Sequence, residues 1–272
     1  MRILFLGDVV GRGARDEIMA RLPGLRGKYK LDAVIVNAEN AAAGFGITAR
    51  ICDDLYKAGV DCITTGNHIW AQREIISAIG NDPKLLRPLN FPEATPGRGS
   101  YVFQTAHGHK ILVANVMTRL FMDALDDPFA AADRLCNGSL LGRDVNALVI
   151  DVHGEASSEK MAMGHYCDGR SSLVVGTHTH IPTADAQILP KGTGYQTDAG
   201  MCGCYDSVIG MDKALAVSRF VRKIPGERLH PAEGPVTLCG TMADIDPKTG
   251  LCTRIEPFRM GGRLSQSLPE VA

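Results

Sequence analysis

Neither sign of charge predominates in this chain: 29 Lys and Arg face 30 Asp and Glu, a formal net charge of −1 over 272 residues. That balance excludes a broad electrostatic attraction to nucleic acid or to an anionic membrane, though not a local, metal-based anion site. The sequence also lacks any run of 18 apolar residues, which excludes a transmembrane helix. The opening Met1-Arg2-Ile3-Leu4-Phe5-Leu6-Gly7-Asp8 meets an acid too early for a secretory signal, so its apolar run is expected as a core strand and the protein as cytoplasmic. The eight cysteines show neither a disulfide framework nor zinc-ribbon spacing. Cys52, Cys62 and Cys239 lie in apolar surroundings and are expected in the core. Cys202 and Cys204 form the one close pair, for which soft-metal or redox chemistry is the weaker alternative to packing.

What is present is a series of short apolar runs, each ending in residues that bind metals. Ile3–Leu6 precedes Gly7-Asp8, Ala33–Val36 precedes Asn37-Ala38-Glu39-Asn40, and Cys62–Thr65 precedes Gly66-Asn67-His68. Ala147–Ile150 leads to Asp151-Val152-His153, and Leu173–Val175 to Gly176-Thr177-His178-Thr179-His180. Short β-branched runs separated by helical stretches predict parallel strands joined by crossovers, and such sheets bind ligands at the carboxyl ends of their strands. Helices are expected over Asp16–Leu25, from an N-cap at Thr48 to Ala58 before Gly59, and over Gln72–Ile79, Pro128–Leu141, Ser157–Met163 and Lys213–Val221. Leu86–Ser100 reads as a long surface connection, and Tyr101–Thr105 with Lys110–Val116 as a hairpin. In the last third, Ala186–Leu189, Gly194–Thr197, Gly234–Ile245 and Leu251–Phe258 read as strands of a second, largely antiparallel sheet. The expected architecture is a four-layer α/β/β/α sandwich of two mixed sheets, one domain over residues 1–272, with the tail after about Arg263 poorly ordered.

Five strand ends thus deliver Asp8, Glu39, Asn40, Asn67, His153, His178 and His180 to one rim. Two metals about 3.5–4 Å apart can clamp both oxygens of a phosphoryl displacement, and this set supplies a bridging carboxylate and outer ligands. Mixed imidazole and oxygen ligation suits Fe, Mn or Zn better than Ca or Mg. His178 and His180, as i and i+2 of an extended segment, are expected to point to one side.

Gly66-Asn67-His68 and Gly176-Thr177-His178-Thr179-His180 resemble signatures of the calcineurin-like metallophosphoesterases. Gly7-Asp8-Val9-Val10-Gly11, Asn37-Ala38-Glu39-Asn40, His153-Gly154-Glu155-Ala156-Ser157-Ser158-Glu159-Lys160 and Tyr195-Gln196-Thr197-Asp198-Ala199-Gly200-Met201-Cys202-Gly203 resemble its bacterial YmdB-type branch. The resemblance spans Asp8 to about Gly210. It implies a phosphodiesterase of 2′,3′-cyclic nucleotides with two transition metals, often iron or manganese. It further implies that Asp8, Glu39, Asn40 and His180 hold one metal and Glu39, Asn67, His153 and His178 the other. Attack by a metal-bridging hydroxide, with His68 as general acid and the amides near Gly11 and Gly13 beside the phosphoryl oxygens, would complete the reaction. The chain departs from the wider superfamily in two places. Val10 stands where an Asp-x-His opening has its histidine, with Asn40 as the substitute, and Glu39 replaces a bridging Asp. An amide oxygen in place of an imidazole hardens that site and favours Fe or Mn over Zn.

His107, His109, His165 and His230 lie outside these motifs and are expected to be structural or surface residues; Arg12 is equally a phosphate contact or a surface arginine. Gly11-Arg12-Gly13 lacks the third glycine of a dinucleotide fingerprint, position 16 being Asp. A small phosphodiester or nucleotide is the expected substrate, with RNA ends and a homo-oligomer as further partners. The competing reading is a regulatory module that binds RNA or protein through a metal site with little catalysis.

Overall fold

The computed structural model describes residues 1–224 and 226–271; Pro225 and Ala272, inside the expected domain span, lie outside the described residues. Strands β1 (Arg2–Leu6), β2 (Ala33–Asn37) and β3 (Cys62–Thr64) run parallel, linked by helices α1 (Gly11–Tyr29) and α2 (Ala49–Ala58). The second sheet holds β4 (Ser100–Gln104), β5 (Lys110–Met117), β6 (Ala147–His153), β7 (Leu173–Thr177), β8 (Gln187–Ile188) and β9 (Gly194–Gln196), in the order β4-β5-β6-β7-β9-β8. The short helix α3 (Ile75–Ala78), then α4 (Pro128–Gly138), α5 (Ser157–Tyr166) and α6 (Lys213–Arg222) complete the helices, and β10 (Gly203–Cys204), β11 (Val236–Ile245) and β12 (Cys252–Gly261) the strands.

Side chains two apart on a strand share a face, and the core divides accordingly. Ile3, Phe5, Ala33 and Ile35 meet Ile111, Val113, Val149, Leu173 and Val175 of the other sheet. Their neighbours Leu4, Leu6, Val34 and Val36 face the opposite way, onto Ile18 and Leu22 of α1 and Ile51 and Leu55 of α2. Leu112, Leu148, Ile150 and Val174 likewise pack against Ala132 of α4 and Met163 of α5. The molecule is therefore the four-layer α/β/β/α sandwich of two mixed sheets that the strand pattern predicts.

Three local expectations are corrected. The second sheet is mainly parallel, since β5, β6, β7 and β9 run alongside one another and only the outer strands β4 and β8 oppose them. The hairpin β11–β12 pairs antiparallel with β1 and so extends the first sheet instead. Alternating residues identify a strand but carry no record of its partner, and here the hairpin covers the edge β1 would otherwise expose. The predicted helix over Gln72–Ile79 reduces to α3 between 3₁₀ turns at Ile69–Ala71 and Ile79–Asn81, with no side-chain cap at Glu74. The stretch Leu86–Ser100 is the long connection expected, tied internally by the Arg87 guanidinium, which donates to the carbonyls of Pro88, Thr95 and Pro96.

Thr48 caps α2 as expected, accepting from the Ile51 amide at 3.3 Å, and Gly59 closes it at φ 107°. All eight cysteines are free and buried. The segment after Arg263, expected to be poorly ordered, folds back on β12: Ser267 and Arg259 exchange backbone hydrogen bonds of 2.7 and 3.0 Å, and Glu270 accepts from Arg2. Among the described residues no helix is long and apolar enough to cross a membrane.

Candidate metal centre

The strands run parallel within each sheet near the rim, so their carboxyl ends place Asp8 after β1, Glu39 and Asn40 after β2, and Asn67 after β3. His153 is the last residue of β6, and His178 and His180 follow β7. Asp8, Glu39, Asn40, His153 and His180 are buried, although a charged group removed from water is costly unless paired or bound to a cation.

Around His153 three lone-pair donors converge. Its Nε2 stands 2.9 Å from Asn67 Oδ1, 3.1 Å from His178 Nδ1 and 3.2 Å from Glu39 Oε1. Donor atoms of Glu39, His153 and His178 all lie within 4.8 Å of one another. Beside them, Asp8 Oδ1 and Asn40 Oδ1 are buried without any hydrogen-bond partner, and His180 Nε2 lies 4.0 Å from Asp8 Oδ1. Buried acceptors left unpaired are rare in folded proteins, and a cation is the group that satisfies several at once. Gly66 adds a further observation. A methyl group there would overlap the His153 imidazole and the Glu39 carboxylate, so the backbone closes against the ligands themselves. The donor set of carboxylate, amide oxygen and imidazole fits a transition-metal centre.

The charges respond to this crowding. Burial pushes the Asp8 carboxyl up to about 7, against the pull of His180 and His153. Glu39 is burdened by burial too, yet the facing His153 draws it down to about 2. Burial opposes the charged form of His153, but the Glu39 carboxylate prevails and raises it to about 9. His178, half-buried and facing His153, falls to about 3.

The positions of the two histidines after β7 correct another expectation. The segment is not extended: His178 (φ 96°) and His180 (φ 65°) both adopt left-handed backbone, which costs a non-glycine residue on the order of 1–3 kcal/mol. Buried Asp198 fixes the loop by accepting from the Thr179 amide and hydroxyl at 3.2 and 2.7 Å, and it is paired with buried Lys160 at 2.8 Å. His180 Nδ1 lies 2.8 Å from the Ile209 carbonyl, so this nitrogen is the donor and Nε2 is left free toward Asp8.

His68 follows Asn67 in a 3₁₀ turn. Its amide donates to Glu39 Oε2 at 3.1 Å, and its ring meets Phe45 edge-on at 5.1 Å. Glu39, Asn40, His68, His178 and His180 line a cavity of about 280 Å³ whose other wall includes Phe45, Glu155, Ile209, Met211 and Leu229. Glu155 Oε2 lies 3.3 Å from His178 Nε2 on the outer side. Sequence reasoning gave Phe45, Glu155, Ile209, Met211 and Leu229 no role in the site, and the apolar residues come from loops without periodicity.

Other expectations do not come to the site. Arg12 is exposed beside Asp16, and the Gly11 amide is engaged by the Asn40 carbonyl at 3.0 Å, which removes it from any phosphoryl oxygen. His107, expected as a structural or surface residue, is exposed and reaches toward Asp32.

Residues 4–258 match the model of the YmdB-like protein family. The chain belongs to this family. A relative, the 2′,3′-cyclic-nucleotide 2′-phosphodiesterase of Bacillus subtilis (strain 168), is 48% identical over 256 residues, 94% of this chain and 96% of that protein. Among solved structures, a hypothetical protein from Thermus thermophilus superimposes with a TM-score of 0.89 at 41% identity, covering 97% of this chain and 100% of that one. A phosphatase from Mycoplasma pneumoniae superimposes with a TM-score of 0.88 at 34% identity, covering 99% and 95%. The YmdB-like family and fold agree with the phosphoesterase class that the motifs imply.

Proposed function

We propose that this chain is a dinuclear-metal phosphodiesterase acting on small phosphodiesters, 2′,3′-cyclic nucleotides foremost, with His68 as the general acid. The observation that carries the reading is the convergence of Glu39, Asn67, His153 and His178 beside the unpartnered oxygens of Asp8 and Asn40. Asp8, Glu39, Asn40 and His180 would hold one ion and Glu39, Asn67, His153 and His178 the other, Fe or Mn by their ligand chemistry. The Bacillus subtilis relative supplies the substrate class. When bound, such a centre supplies Lewis-acid polarisation of the phosphoryl oxygens and a water of lowered pKa.

The protein's own residues do the rest. The His68 amide fixes Glu39, so the ring is anchored beside the ligands by its own backbone. Burial lowers the pKa of that ring below its ordinary value; an anionic ester alongside favours the charged form, so the imidazole takes up its proton where it is needed and passes it to the leaving ribose oxygen. Phe45, Ile209, Met211 and Leu229 give the cavity an apolar wall suited to a nucleobase.

The test is hydrolysis of bis-p-nitrophenyl phosphate and of 2′,3′-cyclic AMP by protein loaded with Mn²⁺ or, anaerobically, with Fe²⁺. Turnover that disappears in Glu39→Gln supports the reading. Metal-loaded protein inert toward diesters and monoesters alike would overturn it in favour of a binding module.

A further inference from the structure

Beneath the ligands lies a buried polar network that spans both sheets. Asp151, on β6 and fully buried, accepts at Oδ2 from Thr64 Oγ1 at 2.5 Å and from Asn37 Nδ2 at 2.9 Å. Its Oδ1 accepts from Thr177 Oγ1 at 2.7 Å, and Thr177 Oγ1 lies 2.9 Å from His153 Nδ1. Asn37 and Thr64 belong to the first sheet, Asp151 and Thr177 to the second. A carboxylate in the otherwise apolar run Ala147–Val152 is expensive to bury.

With Asp151 ionised, counting protons gives the network one solution. The Asn37 amide is oriented by its oxygen, which accepts from the Glu39 amide at 3.2 Å; its nitrogen therefore donates its two protons to Asp151 at 2.9 Å and the Thr65 carbonyl at 3.1 Å, with Thr177 farther off at 3.3 Å. Thr177 has a single hydroxyl proton, and the Asp151 carboxylate beside it can only accept. That proton goes to Asp151. Thr177 must then accept from His153, so His153 carries its proton on Nδ1 and presents Nε2 to Asn67, His178 and Glu39. We propose that Asp151, acting through Thr177, is the positioning residue that sets the ring orientation and tautomer of His153 and thereby prepares it as a metal ligand. Through Asn37 the same carboxylate also holds the backbone of Glu39, so one buried charge aligns ligands from two sheets.

This rests on the proposed metal centre, and the experiment separates the two. Wild type, Asp151→Asn, Thr177→Val and Thr177→Ser are prepared, folding is checked by thermal unfolding, and Zn²⁺ and Mn²⁺ content is measured after equilibrium dialysis. The His153 Nδ1 proton is followed in ¹⁵N-histidine-labelled protein. In wild type and Thr177→Ser the Nδ1 proton is expected downfield and protected from exchange. In Thr177→Val and Asp151→Asn it shifts upfield or exchanges, and the ion held by His153 binds about 10- to 100-fold more weakly. An unchanged Nδ1 proton and unchanged metal content in folded Thr177→Val overturn the relay. Wild type that takes up no metal overturns the proposed function instead, and the Nδ1 proton alone then judges the relay.

Discussion

His178 Nδ1 stands 3.1 Å from His153 Nε2, two ring nitrogens brought face to face from the ends of adjacent parallel strands. Two lone pairs at that distance repel unless a proton or a cation lies between or beside them. The fold accepts this arrangement together with left-handed backbone at His178 and His180. Strain of this kind persists only where the surroundings over-determine it, and here Asp198 and Lys160 do so from below.

If two ions share Glu39, the amide ligands should separate them. Asn67→Ala removes an oxygen 2.9 Å from His153 Nε2, and Asn40→Ala removes a buried oxygen that has no hydrogen-bond partner. Each variant is expected to retain close to one ion per chain where the wild type retains two, measured by elemental analysis after dialysis. Two ions retained in both variants would remove these amides from the ligand set.

Chelation should destabilise the protein, because a ligand that binds only the folded state adds its binding free energy to stability. At a free metal concentration 100 times Kd the gain is about 2.7 kcal/mol. For a chain of this size that corresponds to a fall in Tm on the order of 5–10 °C on adding chelator, read by calorimetry with and without Mn²⁺. An identical Tm in both conditions would contradict a centre built from buried, unpaired acceptors.

Gly66→Ala tests the closeness of the backbone to the ligands. The added methyl would meet the His153 ring and the Glu39 carboxylate, and neither can withdraw without leaving the cluster. Overpacking of this kind costs about 1–3 kcal/mol. Metal content and diesterase activity are expected to be lost together, while chelated wild type and variant differ in stability by no more than that amount. Normal metal uptake in the variant would show that the cluster relaxes around the methyl.

Much of this was legible in the sequence because strand ends advertise themselves. Ile3–Leu6, Ala33–Val36 and Leu173–Val175 are aliphatic runs that stop at Gly or Asn, and the residues just beyond them can only lie at the sheet rim. Thr48 and Gly59 announced α2 by cap chemistry. The partner of β11 was not legible, since period-two alternation is the same in either sheet. Nor was the turn at His178, whose conformation is set by Asp198, 20 residues along the chain. Asp151 stood in the sequence as an acid within an apolar strand, a signal in itself, but its role depends on Thr64 and Asn37 arriving from the other sheet.

If His68 is the general acid, its loss should separate catalysis from metal binding. Its hydrogen bond to the cluster runs through its amide, which any residue would supply to Glu39 Oε2. Its ring instead faces the cavity and Phe45. His68→Ala is therefore expected to bind the wild-type complement of metal and to lose about 10²- to 10⁴-fold in kcat on 2′,3′-cyclic AMP. The deficit should shrink with a diester whose leaving group is a good one, such as bis-p-nitrophenyl phosphate, because p-nitrophenolate departs without a proton. An equal deficit on both esters would mean that the ring positions substrate rather than donating to the leaving oxygen. Full turnover with both metals bound would remove His68 from the reaction altogether.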